Sequence, residues 1–289
     1  MNKTLTGWLL FILLSLIWGS SFILMKLGLA ALPAYQVASI RMVSAGLVLL
    51  PFVFRAFKTI EKKKRFIVLI SGLLGSFFPA YLYCFAETRI DSAIAAIFNS
   101  LTPLFTLIIS AVFFKLPGAV KKLPAILLGL TGLVLMPFAA EKGTDFTDLS
   151  YSLLVLCATI CYACNVNIVS RNLGGTGALN IASMAFCFLL PPAMAILIFT
   201  GFFNLPLTTE PYAQSVLASS VLGVVGTAIA TIIFYMLVKN AGALFASLVT
   251  YAIPVVAVIW GLLYGEQITI AEVGCLFLIL AGVYLVNRR

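Results

Sequence analysis

Apolar residues in this chain gather in long blocks separated by very short polar links. Read between charged or Gly/Pro-bearing links, the blocks cover residues 5–25, 34–54, 66–86, 92–114, 121–139, 150–170, 178–202, 213–237, 243–264 and 270–287. A helix rises about 1.5 Å per residue, so about 20 apolar residues cross a hydrocarbon core of about 30 Å. Lipid supplies no hydrogen bonds to the backbone, which leaves the helix as the form such blocks adopt. The pattern predicts an all-α integral membrane protein with ten transmembrane helices. The first block, Leu5 to Met25 behind Lys3, is longer than the apolar core of about 7–15 residues in a secretory signal, and is read as the first span.

Composition strengthens this reading. Hydrophobic residues make up 63% of the chain and charged residues 9%, against about 45–50% and 25% in soluble domains. The six cysteines, Cys84, Cys157, Cys161, Cys164, Cys187 and Cys275, all lie inside apolar blocks, so no disulfide framework is expected. Cys157, Cys161 and Cys164 share one helix face at a spacing open to a soft metal. The chain has no histidine and no second ligand cluster, so they are read as small apolar residues, and no metal or cofactor is expected.

A net charge of +9 would point to nucleic acid in a soluble protein, but here the charges are segregated. With ten spans both termini share one face. That face collects Lys3, Arg55, Lys58, Lys62, Lys63, Lys64, Arg65, Lys115, Lys121, Lys122, Arg171, Lys239, Arg288 and Arg289, 14 of the 18 basic residues. The other face has Lys26, Arg89 and Lys142 among Glu87, Asp91, Glu141, Asp145, Asp148, Glu210, Glu266 and Glu272. Cytoplasmic links are enriched in lysine and arginine, so both termini are predicted to be cytoplasmic in a cell (inner or plasma) membrane. One helix more or fewer would scatter the basic residues over both faces. The run Lys62–Arg65 is read as a topology determinant, with binding of anionic lipid or a protein partner as the alternative. The expected partners are the bilayer and a small solute, not nucleic acid, and the chain is expected to act as a monomer.

Sliding the second half over the first reveals an internal repeat. An offset of 144 pairs Ala38-Ser39 with Ala182-Ser183, Trp18 with Tyr162 and Ser21 with Asn165. An offset of 151 then pairs Gly72 and Gly75 with Gly223 and Gly226, Ala95 with Ala246, Pro103 with Pro254, and Lys115 with Glu266. Five crossings per copy force the second copy to enter from the opposite side. The expectation is two inverted five-helix repeats, residues 1–140 and 149–289, an architecture in which a central site is exposed alternately to each face. Within a helix, Pro103 and Pro254 would each free a carbonyl, that of Asn99 or Thr250, and kink spans four and nine. Unpaired backbone at membrane depth needs protein groups or a wet cavity. Those spans are therefore placed around the pathway, the alternative being a kink satisfied locally by Ser/Thr groups.

The segment Trp18-Gly19-Ser20-Ser21-Phe22 with Lys26, Arg41 in span two and the Pro-bearing spans four and nine resembles the EamA family of the drug/metabolite transporter superfamily. So does Leu263-Tyr264-Gly265-Glu266 followed by a last span with Gly274 and Gly282. The resemblance covers both repeats, and it implies a ten-helix exporter of amino acids or related metabolites with a cavity between the halves. The chain departs from the family pattern at Lys115, where the first repeat often carries an acid.

Arg41 is the one basic residue well inside a predicted span, and such a residue is a functional candidate by default. Its guanidinium matches a substrate carboxylate; snorkelling or capping of backbone carbonyls are the structural alternatives. Trp18, Ser21, Tyr81, Asn99, Thr102, Asn165, Tyr235, Thr250 and Tyr251 mix rings with isolated polar groups, as an amphipathic organic solute requires. Each of them also fits a packing or interhelical hydrogen-bond role. All nine acids fall near predicted helix ends, so the expectation is facilitated export, or loose proton coupling through Glu87 or Asp91. A phosphate-bearing substrate calls for several converging cations, which places nucleotide-sugar or sugar-phosphate carriage second, beside broad drug export. Without histidine or suitably spaced acids an intramembrane enzyme is disfavoured, and the apolar spans lack the polar stripe of a channel.

Overall fold

A computed structural model of the chain describes residues 3–114, 123–139 and 146–287, and every regular element among them is helical. In chain order the helices are α1 Lys3–Leu29, α2 Ala34–Thr59, α3 Lys62–Ala86, α4 92–114, α5 Leu123–Ala139, α6 Phe146–Asn172, α7 Ala178–Phe199, α8 Glu210–Gly242, α9 Phe245–Leu263 and α10 Ile270–Asn287. Among the described residues, eight are long and apolar enough to cross a membrane. Of the other two, α5 has 17 residues, and the apolar stretch of α10 is Ile270–Gly282. Charges assigned from sequence to Lys115, Lys121, Lys122, Glu141, Lys142, Asp145, Arg288 and Arg289 lie outside the described residues.

Burial is sorted as lipid demands. Phe54, Phe199 and Ile270 are 71%, 88% and 91% exposed, while Thr159, Asn165, Asn167 and Thr227 are buried between helices. Apolar rings facing hydrocarbon lose nothing, whereas amides and hydroxyls must find partners inside the bundle. The chain is an integral membrane protein.

Packing runs mainly between the two halves of the sequence. α1 lies on α8 and α9, and α6 lies on α3 and α4; α2 lies on α7, and α5 on α10. Two helices contain a π-turn, Leu73–Phe77 in α3 and Val224–Ile229 in α8. Their first residues are separated by the same offset that aligns Gly72 with Gly223. At each π-turn a glycine lets a neighbour close in: a Cβ on Gly75 would overlap the Asn165 side chain of α6, and one on Gly226 would overlap Ser21 Oγ of α1. The pairs Gly75–Asn165 and Gly226–Ser21 are equivalents under the two sequence offsets.

The reading of Pro103 needs correction. α4 is not one kinked helix but two pieces, Ser92–Asn99 and Thr102–Phe114, joined by a turn at Ser100–Leu101. Pro103 stands at the start of the second piece, where a missing N–H removes no helical bond. The Asn99 carbonyl is satisfied by Thr102 Oγ1, which donates to it at 2.7 Å. Pro254 does lie inside its helix, a few residues after a break at Leu248.

Two helix ends near the site follow from local sequence. After α9, Gly265 adopts φ 81°, a left-handed geometry that side chains resist. Its N–H donates to Leu262 O at 3.2 Å and that of Glu266 to Gly261 O at 2.9 Å, so the chain turns back with Glu266 over the helix end. α10 then begins with a reciprocal cap: Glu272 Oε2 accepts from the Thr269 N–H at 2.7 Å and Thr269 Oγ1 from the Glu272 N–H at 3.1 Å.

The α5–α10 pair touches little else, and its contact is built on small residues. A Cβ on Gly282 would overlap the Gly129 backbone and crowd the Ala125 carbonyl. Gly282→Leu is therefore expected to separate the pair and destabilise the protein by about 1–3 kcal/mol, the usual cost of overpacking. A thermal melt in detergent reads it; an unchanged melting temperature would show that the two backbones do not meet there.

Candidate functional site

A cavity lies where α1, α2, α3, α4, α6, α8 and α9 converge. Its volume, traced by the centre of a water molecule, is about 80 Å³, several times the ~10–15 Å³ that one water needs. Eight of the ten residues proposed from sequence line it: Trp18, Ser21, Arg41, Asn99, Thr102, Asn165, Tyr235 and Thr250. Tyr81 and Tyr251 do not. Tyr81 instead shares a 2.7 Å hydrogen bond with Ser39 and packs on Phe77, and Tyr251 packs against the hydrophobic core.

Arg41 is 7% exposed and faces the cavity from α2. Its Nε donates to Thr227 Oγ1 at 2.6 Å, and one terminal nitrogen approaches Met25 Sδ at 3.9 Å. Thr227 sits in the π-turn of α8, and its hydroxyl donates in turn to the Leu222 carbonyl at 3.0 Å. Among the described residues no carboxylate pairs with this guanidinium. The guanidinium is buried rather than extended to the surface, and its bonds to Thr227 and Met25 go to side chains of other helices rather than to helix-end carbonyls. A buried cation without an anion is costly unless an anion arrives.

The remaining walls are aromatic with fixed polar points. Trp18 Nε1 donates to the Gly226 carbonyl at 3.2 Å and its ring lies 5.1 Å from that of Phe234. Tyr83 packs on Phe22 at 5.7 Å and stacks on Tyr162 at 6.0 Å, while its hydroxyl donates to Asn99 Oδ1 at 2.9 Å. Opposite, Ser71 Oγ donates to Asn165 Oδ1 at 2.6 Å and lies 3.3 Å from the Tyr235 hydroxyl. These networks hold Asn99, Asn165 and Tyr235 rigidly, so each presents its remaining hydrogen-bonding capacity in a set direction.

A charged cluster gathers beyond one end of the cavity, where α1, α3 and α9 end and α4 begins. Lys26, near the C-terminal end of α1, pairs with Glu266 at 2.5 Å and with Asp91 at 3.7 Å. The Glu266 carboxylate also accepts from the N–H groups of Ser92 and Ala93 at 3.2 and 3.3 Å, capping α4 with an acid from the far end of the sequence. One side chain thereby ties α1, α4 and the end of α9. Glu87, just past α3, is 6% exposed; its Oε2 accepts from Ser92 Oγ at 3.5 Å, and its Oε1 has no hydrogen-bond partner. Burial, with the charge of Glu266 beside it, pushes the Glu87 carboxyl well above the usual carboxylate range against the opposing pull of Lys26 and Arg41. Toward the other end of the bundle α4 and α6 are joined without charge: Ser110 Oγ donates to Asn167 Oδ1 at 2.5 Å and Asn167 Nδ2 to the Thr106 carbonyl at 3.2 Å.

Sequence reasoning missed several lining residues, including Tyr83, Tyr162, Thr231, Phe234 and Ser247, and it missed Thr227 behind Arg41. Tyr162 carried a usable signal, since it is the repeat equivalent of Trp18. Thr227 carried none, because only the π-turn aims it at α2. Among the described residues no three cysteine or acidic side chains gather as a metal would require.

Two stretches of the chain, residues 5–138 and 149–288, match the EamA-like transporter family. The chain belongs to that family. As an EamA-like transporter it is a multi-pass membrane protein that acts on a small-molecule substrate. It is 27% identical to the uncharacterized inner membrane transporter YedA of Escherichia coli K12, over 95% of this chain and 88% of that one. An uncharacterized transporter of Archaeoglobus fulgidus is 25% identical, over 98% and 99% of the two chains. A probable amino-acid metabolite efflux pump of Salmonella typhimurium is 27% identical over 56% of this chain and 52% of its own. A crystal structure described only as that of a protein superposes with a TM-score of 0.64 at 20% identity, covering 99% of this chain and 98% of that one, which is a likeness of fold.

Proposed function

We propose that this EamA-like transporter exports small amphipathic metabolites bearing a carboxylate, amino acids foremost, by alternating access at the central cavity. The observation that carries the reading is Arg41: a buried guanidinium facing the cavity, held at Nε by Thr227, with no carboxylate paired to it among the described residues. A substrate carboxylate supplies the missing anion through two parallel hydrogen bonds. Trp18, Phe234 and the stacked Tyr83–Tyr162 pair cover an apolar side chain, while Asn99, Asn165 and Thr250 stand ready for an amino group. Arg41 is the one cation lining the cavity among the described residues, a poor match for a sugar phosphate or nucleotide sugar. The Salmonella relative's name agrees with amino-acid metabolites.

The alternating mechanism draws on the two halves acting as inverted five-helix repeats, residues 1–140 and 149–289. Supporting this are the two successive family matches, the π-turns at equivalent positions, and the reciprocal packing of α1 on α8 and α9 and of α6 on α3 and α4. With both termini cytoplasmic in the inner membrane, the charged cluster faces outward. The two halves in one chain supply a complete pathway, so the working unit is a monomer.

The test is efflux from proteoliposomes loaded with the standard radiolabelled L-amino acids as a mixture. Faster loss of some labels than from protein-free vesicles is expected, with uncharged analogues such as the corresponding amides retained. Equal efflux of acids and amides would remove Arg41 from the reading, and no efflux of any label would remove amino acids.

A further inference from the structure

Four ionisable side chains meet beyond one end of the cavity, and they come from four places in the chain. Lys26 ends α1, Glu87 follows α3, Asp91 precedes α4, and Glu266 follows α9. Three carboxylates thus converge on one ammonium. Two of them hold it, and the third, Glu87, is the most secluded and has an oxygen with no partner. Glu87 faces Lys26 on α1, Arg41 on α2, Tyr83 near the end of α3, Ser92 at the head of α4, and Glu266 beyond α9. A buried carboxylate lacking a hydrogen bond on one oxygen, beside a second carboxylate, is stable as the acid; ionised, it must capture a cation. Of the two cations that act on Glu87, Lys26 acts more strongly than Arg41, and Lys26 is also the link between α1 and Glu266.

We propose that Glu87 is the proton-binding residue of the transport cycle, closing this end of the cavity when protonated and opening it when ionised by drawing Lys26 away from Glu266 and Asp91. This rests on the reading of the cavity as a transport site and adds its energy source. The step moves one proton: an O–H bond forms at a Glu87 oxygen with a proton taken from water on the charged-cluster side, and breaks when that proton passes to water on the cavity side. The arrangement in this structure, with Lys26 on Glu266 and Asp91, is then the closed and proton-loaded one. Its sign is fixed by linkage. The closed state binds the proton more tightly, so raising the pH on the cluster side favours opening and lowering it favours closure. A proton entering as substrate leaves is an antiport, which allows export against a gradient.

The experiment uses the full chain in proteoliposomes with pyranine trapped inside and the labelled amino-acid mixture as probe. Two signals are followed, tracer exchange at equal concentrations on both sides, and proton movement when an amino-acid gradient is imposed. The wild type is expected to show both. Glu87→Gln, held in the protonated arrangement, should lose at least about tenfold of both tracer exchange and substrate-driven proton flux while its melting temperature stays within about 1 °C of wild type. Glu87→Asp, which keeps the carboxyl, should restore both signals. Exchange without proton movement in the wild type, or undiminished exchange in Glu87→Gln, overturns the role of Glu87 and leaves the transport reading standing. A fall of more than about 3 °C in the melting temperature of Glu87→Gln alongside the lost signals assigns the residue a structural role and also overturns it. Absence of exchange in the wild type fells the transport reading and this inference with it.

Discussion

Arg41→Gln is expected to raise the apparent KM for any carboxylate-bearing substrate by about 10–100-fold, because a charge-assisted hydrogen bond contributes about 1.5–3 kcal/mol. Glutamine keeps two donors on a shorter arm but has no charge. Arg41→Lys should fall between the two, since an ammonium preserves attraction without the planar fork that fits both carboxylate oxygens. The same substitutions should leave thermal stability in detergent unchanged or raise it, because among the described residues Arg41 has no carboxylate partner to orphan and its burial is itself a cost. Proteoliposome kinetics beside a thermal melt separate these effects. Normal kinetics in both variants would end the carboxylate-clamp idea, and a collapse in stability would make Arg41 a structural residue.

Glu266→Ala should do the reverse and strike stability first. Its side chain is 2% exposed and satisfies Lys26 together with the N–H groups of Ser92 and Ala93, so its removal leaves two helix-end donors unpaired and Lys26 with only the longer contact to Asp91. Breaking a buried pair costs about 3–5 kcal/mol, and the lower figure suits this case because the Lys26 side chain is 40% exposed and can turn to water. A fall of about 5–10 °C in melting temperature is expected, and Glu266→Gln, which still accepts from an amide, should lose about half as much. Because Glu266 joins α1 to α4, the alanine variant should also admit a membrane-impermeant maleimide to a cysteine placed at Phe22 more readily than its parent does. A melt within about 1 °C of wild type would show that the cluster is not what holds this end shut.

The membrane class was legible in the apolar blocks because lipid leaves the backbone one economical form, and a block of given length then reads directly as a helix of given length. Two close approaches were legible for a related reason: Gly75 and Gly226 sit at π-turns where helices press together, so a small residue is needed at both. Of the site, the residues with strong chemistry inside a span were visible from sequence. Arg41, Trp18, Asn99 and Asn165 stand out against an apolar background, and all four reach the cavity. Tyr81 and Tyr251 were chosen on the same grounds and lie elsewhere, since a tyrosine in a span is as well satisfied by a neighbouring hydroxyl, as Tyr81 is by Ser39.

The charged cluster was the part least legible. Glu87, Asp91 and Glu266 read as ordinary acids at helix ends, and nothing in their spacing indicates that Glu87 and Glu266 are buried or that both approach Lys26. The capping of α4 by Glu266 bridges more than half the chain, and no local pattern encodes a partner at that separation. The break in α4 was misplaced for a similar reason: Pro103 marked the irregularity, but Thr102 and the packing against α9 set where the turn falls.

The amino-acid sequence by itself determined the solvent of this protein, its helical form and the polar residues that could not be left to lipid, because those follow from transfer energies summed along the chain. Only the tertiary structure decided which of those residues share a cavity, that Arg41 lacks a carboxylate partner there among the described residues, and that one lysine is contested by three carboxylates. Those facts depend on distances between helices remote in sequence, and electrostatic and hydrogen-bond energies are set by such distances rather than by residue type alone.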